Sequence, residues 1–118
     1  MATQANEVRT FVAGAALAAF RRVKLNTDPT EVVYAGSDEA AIGVTQLDAA
    51  SGANVPVRLW HRGSTFKVVV ASSMNAGASL YGAANGKFDD ADPGSGTIRG
   101  KALAAASGDG SVIEVLPV

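Results

Sequence analysis

The stretch Ala13-Gly14-Ala15-Ala16-Leu17 occurs a second time, with one change, as Ala76-Gly77-Ala78-Ser79-Leu80. Each copy leads through an apolar run that contains a glycine to a small-residue turn, Ala50-Ser51-Gly52 or Ala106-Ser107-Gly108, and then to a Val-rich run. Two copies of one β-unit indicate an internal duplication. A solenoid is excluded, because it needs three or more repeats. We therefore expect a pseudo-symmetric barrel or sandwich.

The rest of the chain predicts an all-β fold, a small antiparallel β-barrel or sandwich. Turn residues recur roughly every eight to twelve positions, which is typical of these architectures. The Ala-rich segment predicts a turn or brief helix at residues 14–18, followed by a strand from Ala19 to Leu25. Asn85-Gly86 predicts a hairpin. The strongest strand signals, rich in β-branched and aromatic residues, are Val55–Leu59, Phe66–Val70 and Val112–Leu116.

Length and composition predict one domain that associates with further copies. The chain has 118 residues and no internal linker, so we expect a single β domain over residues 9–118. Residues 1–8 begin with small polar residues and are expected to form a flexible N-terminal arm. Ala and Val supply 37 of the 56 apolar residues, so the core buries little area per residue. Burial against other copies would compensate, which favours a homo-oligomer.

Charge and cysteine content exclude several classes of function. Ten Lys and Arg against eleven Asp and Glu give a net charge of −1, so no basic excess exists to neutralise a nucleic acid. The absence of cysteine excludes disulfides and thiolate chemistry. The apolar run Ala13–Phe20 is far shorter than the roughly 20 residues of a membrane span. No signal peptide is recognisable at the start, so we expect no membrane association and synthesis in the cytoplasm.

The sequence offers little catalytic or metal-binding chemistry. A catalytic triad would need a nucleophile and an acid that converge on His61, the one histidine, and no serine lies in a nucleophile-elbow motif. The acidic run Asp89-Asp90-Ala91-Asp92 is the best metal candidate, because closely spaced carboxylates suit Ca²⁺. Pro93 interrupts it and no acidic residue closes the loop, so a solvated loop is favoured. We expect no enzyme activity, no metal and no cofactor.

A family resemblance extends over most of the chain, from about Arg9 to Leu116. The segments that carry it, in order, are Arg9–Gly14, Phe20–Leu25, Val33–Ala35, Ala41–Thr45, Leu80-Tyr81 and Ala105–Leu116. Together they resemble the small capsid cement, or head decoration, proteins of tailed bacteriophages. The resemblance implies a β-rich domain that binds the major capsid protein on the outer surface of the virion head and stabilises the mature shell. It also implies trimers, and an N-terminal arm that becomes ordered against the capsid.

Candidate contact residues come from side-chain chemistry in the arm and the body. Trp60 is either a core residue or part of a contact patch, because tryptophan is enriched at interface hot spots. The residues expected to contact the capsid or another subunit are Thr3, Asn6, Arg9, Phe11, Trp60 and Arg62. The alternative function is a stand-alone ligand- or carbohydrate-binding β-module of a virion or cell surface, in which Trp60, Tyr34 and Tyr81 would form the sugar-stacking platform.

Overall fold

The fold is all-β, as predicted. The computed structural model describes residues 7–118, and within them the secondary structure consists of ten strands and one 3₁₀ turn. The first half contains β1 (Val8–Ala13), β2 (Arg22–Leu25), β3 (Glu31–Tyr34), β4 (Gly43–Thr45) and β5 (Asn54–Leu59). The second half contains β6 (Phe66–Val69), β7 (Ser79–Gly82), β8 (Phe88–Asp89), β9 (Gly100–Ala102) and β10 (Val112–Pro117). No helix in the described part of the chain is long and apolar enough to cross a membrane.

The two halves repeat one topology, which confirms the internal duplication. In the first, β1 pairs with β5 and with β3, which closes a barrel of order β1-β3-β2-β4-β5. The second sheet has the order β6-β10-β9-β7-β8, and a single bridge from Val70 to Phe88 joins its two ends. The β1–β3 pair and the bridge from Val70 to Phe88 are parallel, and the other pairs of named strands are antiparallel. These parallel contacts lack a local turn signal, and the sequence did not predict them.

The alignment of the two copies differs from the one that the sequence motif suggested. β2 begins at Arg22 and β7 at Ser79, 57 residues later, and β4 and β9 begin at Gly43 and Gly100, again 57 residues apart. Leu17 forms an isolated bridge with Ala49, and Met74 forms the equivalent bridge with Ala106. The true counterpart of Leu17 is therefore Met74 and not Leu80. Ala and Gly are so frequent in this chain that a five-residue match arises without structural equivalence.

The Ala-rich segment forms no helix. The backbone N–H of Gly14 donates to Val32 O, and the N–H of Leu17 donates to Ala49 O. These bonds to distant segments replace the local ones that a helix would make, and β2 begins at Arg22 rather than at Ala19. The Asn85-Gly86 hairpin is confirmed, and both residues have the positive φ (59° and 72°) that such a turn requires.

Two hydrophobic clusters form the core, one in each half. The first cluster fills the closed barrel and includes Leu17, Val32 and Val57. The second includes Phe66, Leu80 and Phe88 and also takes in Val44 from β4, with Trp60 packed against it. Because two residues of the first half belong to the packing of the second, the halves share apolar contacts along their junction.

Candidate functional site

An aromatic cluster lies at the junction of the two halves. The Trp60 ring lies 4.6 Å from that of Phe66 and 5.8 Å from that of Phe88, centroid to centroid, in tilted arrangements. Trp60 follows β5 directly, and its N–H donates to Ile42 O, which places the ring above the second core cluster. The indole is half-buried; it packs against this cluster and lines a cleft.

Arg22 is the largest fully buried side chain among residues 7–118, with only 1% of its surface exposed. Its guanidinium donates to four main-chain carbonyls at 2.9–3.2 Å: Gly36 O, Glu39 O, Ala83 O and Lys87 O. Two of these carbonyls belong to each half. The group also stacks on Phe88, 5.0 Å from the ring centroid. Burial, with the positive charge of Arg99 as a second cause, lowers the pKa of Arg22 to about 10.

The cleft beside Trp60 has a volume of about 320 Å³ and combines apolar walls with two guanidinium groups. Its apolar lining is Ala40, Ala41, Trp60, Phe88, Ile98 and Val118. Arg22 and Arg99 supply the positive charge. One Arg99 nitrogen donates to Asp38 O at 3.3 Å, whereas its Nε is buried and has no hydrogen-bond partner among residues 7–118.

A second surface feature, which we call the Phe20 groove, runs between the two halves. Two adjoining depressions of about 350 and 380 Å³ share the residues Phe20, Lys67 and Glu114. The exposed residues Val8, Leu103 and Val112 also line it, together with Ala104 and Ile113. Lys67 on β6 lies directly opposite Glu114 on β10, so opposite charges face each other across the strand pair.

The backbone of Phe20 has a φ of 61°, in the left-handed region, where a bulky residue is strained. Its counterpart in the second half is Gly77, with a φ of 90°, and the two occupy the same place in the hydrogen-bond pattern. Phe20 N–H donates to Thr45 O, and Gly77 N–H donates to Ala102 O. The first half therefore has an aromatic residue, Phe20, where the second half has Gly77. This difference is visible only when the two halves are aligned with an offset of 57 residues.

The predicted contact residues do not form one patch. Thr3 and Asn6 lie outside the described residues. Arg9 opposes Val57 and is exposed, whereas Phe11 opposes Val55 and packs against the first cluster. Trp60 packs against the second cluster instead, and Arg62 is exposed in the turn that follows. Sequence reasoning missed Phe20, Arg22 and Arg99, because only their three-dimensional surroundings distinguish them.

The aromatic residues proposed for a sugar platform are engaged within the fold. Tyr34 packs against the first cluster, and its hydroxyl accepts a hydrogen bond from Ala18 N–H at 2.8 Å. Trp60 belongs to the second cluster, and Tyr81 is half-buried in β7. Tyr34 and Trp60 thus belong to different clusters.

The acidic loop is organised by hydrogen bonds of its own. Asp92 accepts from the N–H groups of Gly94 at 2.8 Å and Gly96 at 3.0 Å, and Asp89 accepts from the Ser72 hydroxyl at 2.6 Å. Across residues 7–118, no group of three or more His, Asp or Glu is arranged to hold a metal ion. His61 stacks edge-on against Phe66, with the ring centroids 6.0 Å apart.

Known proteins resemble this chain both in fold and in sequence family. Among solved structures, the chain is similar to the one titled "The crystal structure of head fiber gp8.5 N base in bacteriophage phi29", with a TM-score of 0.79 and 20% sequence identity over 96% of this chain and 94% of that one. At this identity the likeness shows the fold alone. No curated protein matches the sequence. The family model for phage cement proteins, however, matches residues 3–117. The chain therefore belongs to the phage cement protein family.

Proposed function

We propose that this protein decorates the outer surface of a phage head, where it binds the major capsid protein and stabilises the mature shell. The observation that carries the proposal is the match of the cement-protein family model to residues 3–117. The similarity in fold to a phage head-fiber base supports the same setting. The protein acts as a trimer and catalyses no reaction.

The Phe20 groove is the part of the body that best fits a contact with the shell. It combines exposed apolar side chains, Val8, Leu103 and Val112, with a charged pair on neighbouring strands. Backbone strain persists only where its surroundings over-determine it, and it concentrates at functional sites. The strained Phe20, which both depressions of the groove share, fits that pattern, because the equivalent position in the second half is a glycine, which adopts a positive φ without strain.

The arm adds a second contact. Residues 1–8 carry Thr3 and Asn6 and lead into Arg9 at the start of the barrel. Several arms on one trimer, each bound weakly, give an avidity well beyond that of a single arm. Phe11, Trp60 and Arg62 contribute to binding from the body.

The defining experiment mixes the purified protein with expanded heads that lack it. We expect co-sedimentation that saturates at a fixed number of copies per head, and a rise in the temperature at which the heads release their DNA. Unexpanded proheads serve as the control. Absence of binding to expanded heads at micromolar concentrations, with the protein folded, would refute the proposed function.

Matched variants test the groove. Leu103 and Val112 are 47% and 46% exposed, and Leu25, which does not line the groove, is 44% exposed. Leu103→Asp and Val112→Asp should each weaken head binding about tenfold or more, equivalent to about 1.4 kcal/mol. Leu25→Asp introduces the same charge elsewhere and should leave binding unchanged. Equal effects of the three substitutions would place the contact outside the groove.

Truncation tests the arm. Removal of residues 1–6 leaves β1 intact and should weaken head binding about tenfold, the effect of one or two good contacts per arm. The melting temperature of the truncated protein is the control for folding. Unchanged head binding would assign the whole contact to the body.

A further inference from the structure

The cleft beside Trp60 presents an imbalance of charge that the fold itself does not resolve. Arg22 and Arg99 lie close enough for the charge of Arg99 to lower the pKa of Arg22. Within residues 7–118 the ion pairs are Lys24–Glu39 and Lys87–Asp109, so no carboxylate lies within 4 Å of either guanidinium. The charge of Glu39 acts on Arg22 from beyond that distance, so two cationic residues line the cleft without a direct ion pair, which favours an anion as occupant.

The hydrogen-bond capacity of the two arginines differs. Arg22 donates four bonds to carbonyls of the fold and is nearly saturated. Within the described part of the chain, Arg99 donates one bond, to Asp38 O, and its buried Nε has no partner. A buried donor without a partner is costly. A carboxylate that enters the cleft would accept from Arg99 and would interact with the positive charge of Arg22.

The apolar walls define the rest of the ligand. Trp60, Phe88, Ile98 and Val118 line the cleft together with two alanines. A volume of about 320 Å³ is at the small end of ligand sites, which suits one acidic side chain and a neighbouring aliphatic group. A fully hydrated ion such as free phosphate would leave these walls without contacts.

We propose that this cleft binds a carboxylate carried next to an aliphatic group, supplied by an acidic side chain of a head subunit. The source of the carboxylate rests on the proposed function, whereas the chemistry of the cleft does not. An acidic residue that docks here would complete the hydrogen bonding of Arg99 and bury its own aliphatic neighbour against Trp60.

The first test uses the protein alone, with hexanoate as the probe and hexanamide as its uncharged analogue. Trp60 is the only tryptophan and lines the cleft, so its fluorescence reports occupancy. We expect a saturable change with a Kd on the order of 10 mM for hexanoate and none for hexanamide. Arg99→Gln should weaken hexanoate binding at least fivefold, whereas Arg21→Gln, at an arginine that does not line the cleft, should have no effect on it. No saturable response to hexanoate, or an equal response to hexanamide, would overturn the carboxylate site.

A second variant guards against misfolding of Arg99→Gln. Ala41→Leu fills the cleft, retains both arginines and should also abolish the hexanoate response. If both variants melt like the wild-type chain and still bind hexanoate normally, the cleft is not the site.

The second test measures binding of the same variants to expanded heads. Arg99→Gln should weaken it at least fivefold, and hexanoate should compete with the heads for the wild-type protein. Normal head binding by Arg99→Gln would overturn the head subunit as the source of the carboxylate. If the wild-type protein binds hexanoate but no heads, the proposed function fails and the chemistry of the cleft stands.

Discussion

Arg22 shows how one side chain can hold a duplicated fold together. It stands on β2 of the first half and donates to Gly36 O and Glu39 O there, but also to Ala83 O and Lys87 O of the second half. A guanidinium is suited to this because its donors form a fixed planar fork. The cost is a buried charge, which is visible in its lowered pKa of about 10.

Substitution of this residue should be strongly destabilising. Arg22→Met keeps apolar bulk but leaves four carbonyls without their donor, and each such loss costs about 1–3 kcal/mol. We expect a decrease of about 3 kcal/mol or more in the free energy of unfolding, measured by urea denaturation. Arg62→Met, at an exposed position, should stay within about 0.5 kcal/mol. A small effect of Arg22→Met would show that the carbonyls find other donors.

Single residues are also where sequence reasoning failed most. Nothing in the local sequence marks Phe20 as left-handed, since aromatic residues rarely adopt that conformation. Likewise, an arginine in a strand is expected at the surface, and Arg22 is buried only because four carbonyls from separate segments converge on it. Phe11 and Trp60 were recognisable as anchors, but the face each occupies depends on strand register.

At the scale of elements, β4 and the equivalent β9 each have a glycine where the strand packs closely against its neighbour. A Cβ on Gly43 would lie 2.4 Å from Arg58 O and 2.6 Å from Val57 Cγ1. At the equivalent Gly100, the nearest atoms would be Val115 Cγ1 at 2.7 Å and Leu116 O at 3.3 Å. Both glycines permit close packing of strands, but the first contact is with backbone and the second is mainly with a side chain.

Alanine substitutions should reflect this difference. Gly43→Ala should lower the free energy of unfolding by about 3 kcal/mol, because a carbonyl cannot move aside, and Gly100→Ala by about 1–2 kcal/mol. Gly108→Ala is the matched control: its Cβ would have no atom within 4 Å and no positive φ is required. It should be neutral or stabilising by up to about 1 kcal/mol. The reverse order of Gly43 and Gly100 would contradict the packing argument.

The hydrogen bonds that Glu39, in the loop after β3, accepts from Lys24 on β2 and from Gly36 should make the stability of the protein depend on pH. Lys24 donates to Glu39 Oε2 at 2.7 Å and Gly36 N–H donates to Oε1 at 2.6 Å. The bond from Lys24, followed by the one from Gly36, lowers the pKa of Glu39. A carboxyl with a lowered pKa in the folded state stabilises the protein above its unfolded pKa, and this contribution is lost as the pH falls through the folded value.

We therefore expect the melting temperature to fall with pH below about 4.3, the ordinary pKa of glutamate. Glu39→Gln should melt at a lower temperature than wild type at pH 7 and should lose part of the acid dependence. Glu7→Gln, at an exposed position, controls for net charge. Parallel pH profiles for wild type and Glu39→Gln would contradict the assignment.

The predictability of the elements follows the range of the interactions that form them. β5, β6 and β10 were evident because their residues favour strands locally, and the Asn85-Gly86 hairpin because its turn needs positive φ. The segment at residues 14–18 was predicted as a turn or helix, since its alanines favour helix and its true partners, Val32 and Ala49, are distant in sequence. The parallel β1–β3 contact was missed for the same reason.

At the scale of the whole molecule, the chain combines a core of small residues with a surface that keeps large apolar groups exposed. Among residues 7–118, eight of these are 38–61% exposed: Val8, Leu25, Leu47, Ile98, Leu103, Val112, Leu116 and Val118. Leu116 and Val112 alternate with buried residues along β10, so they share one outward face of that strand. Side chains of this kind are suited to contacts with other chains, whether copies of this protein or the shell.

We expect the protein to associate into a trimer, with each contact burying on the order of 1,000 Å² or more, the size that specific interfaces require. Light scattering should give three times the mass of the 118-residue chain, either free in solution or when bound to heads, where cross-linking gives the equivalent measurement. Leu116→Asp, on the outward face of β10, should lower the measured mass. Lys101 lies directly opposite Leu116, so Lys101→Asp tests whether a change of charge alone lowers the mass. A monomer in both settings, spaced on the shell without mutual contact, would refute self-association, and the exposed apolar residues would then be left for the shell alone.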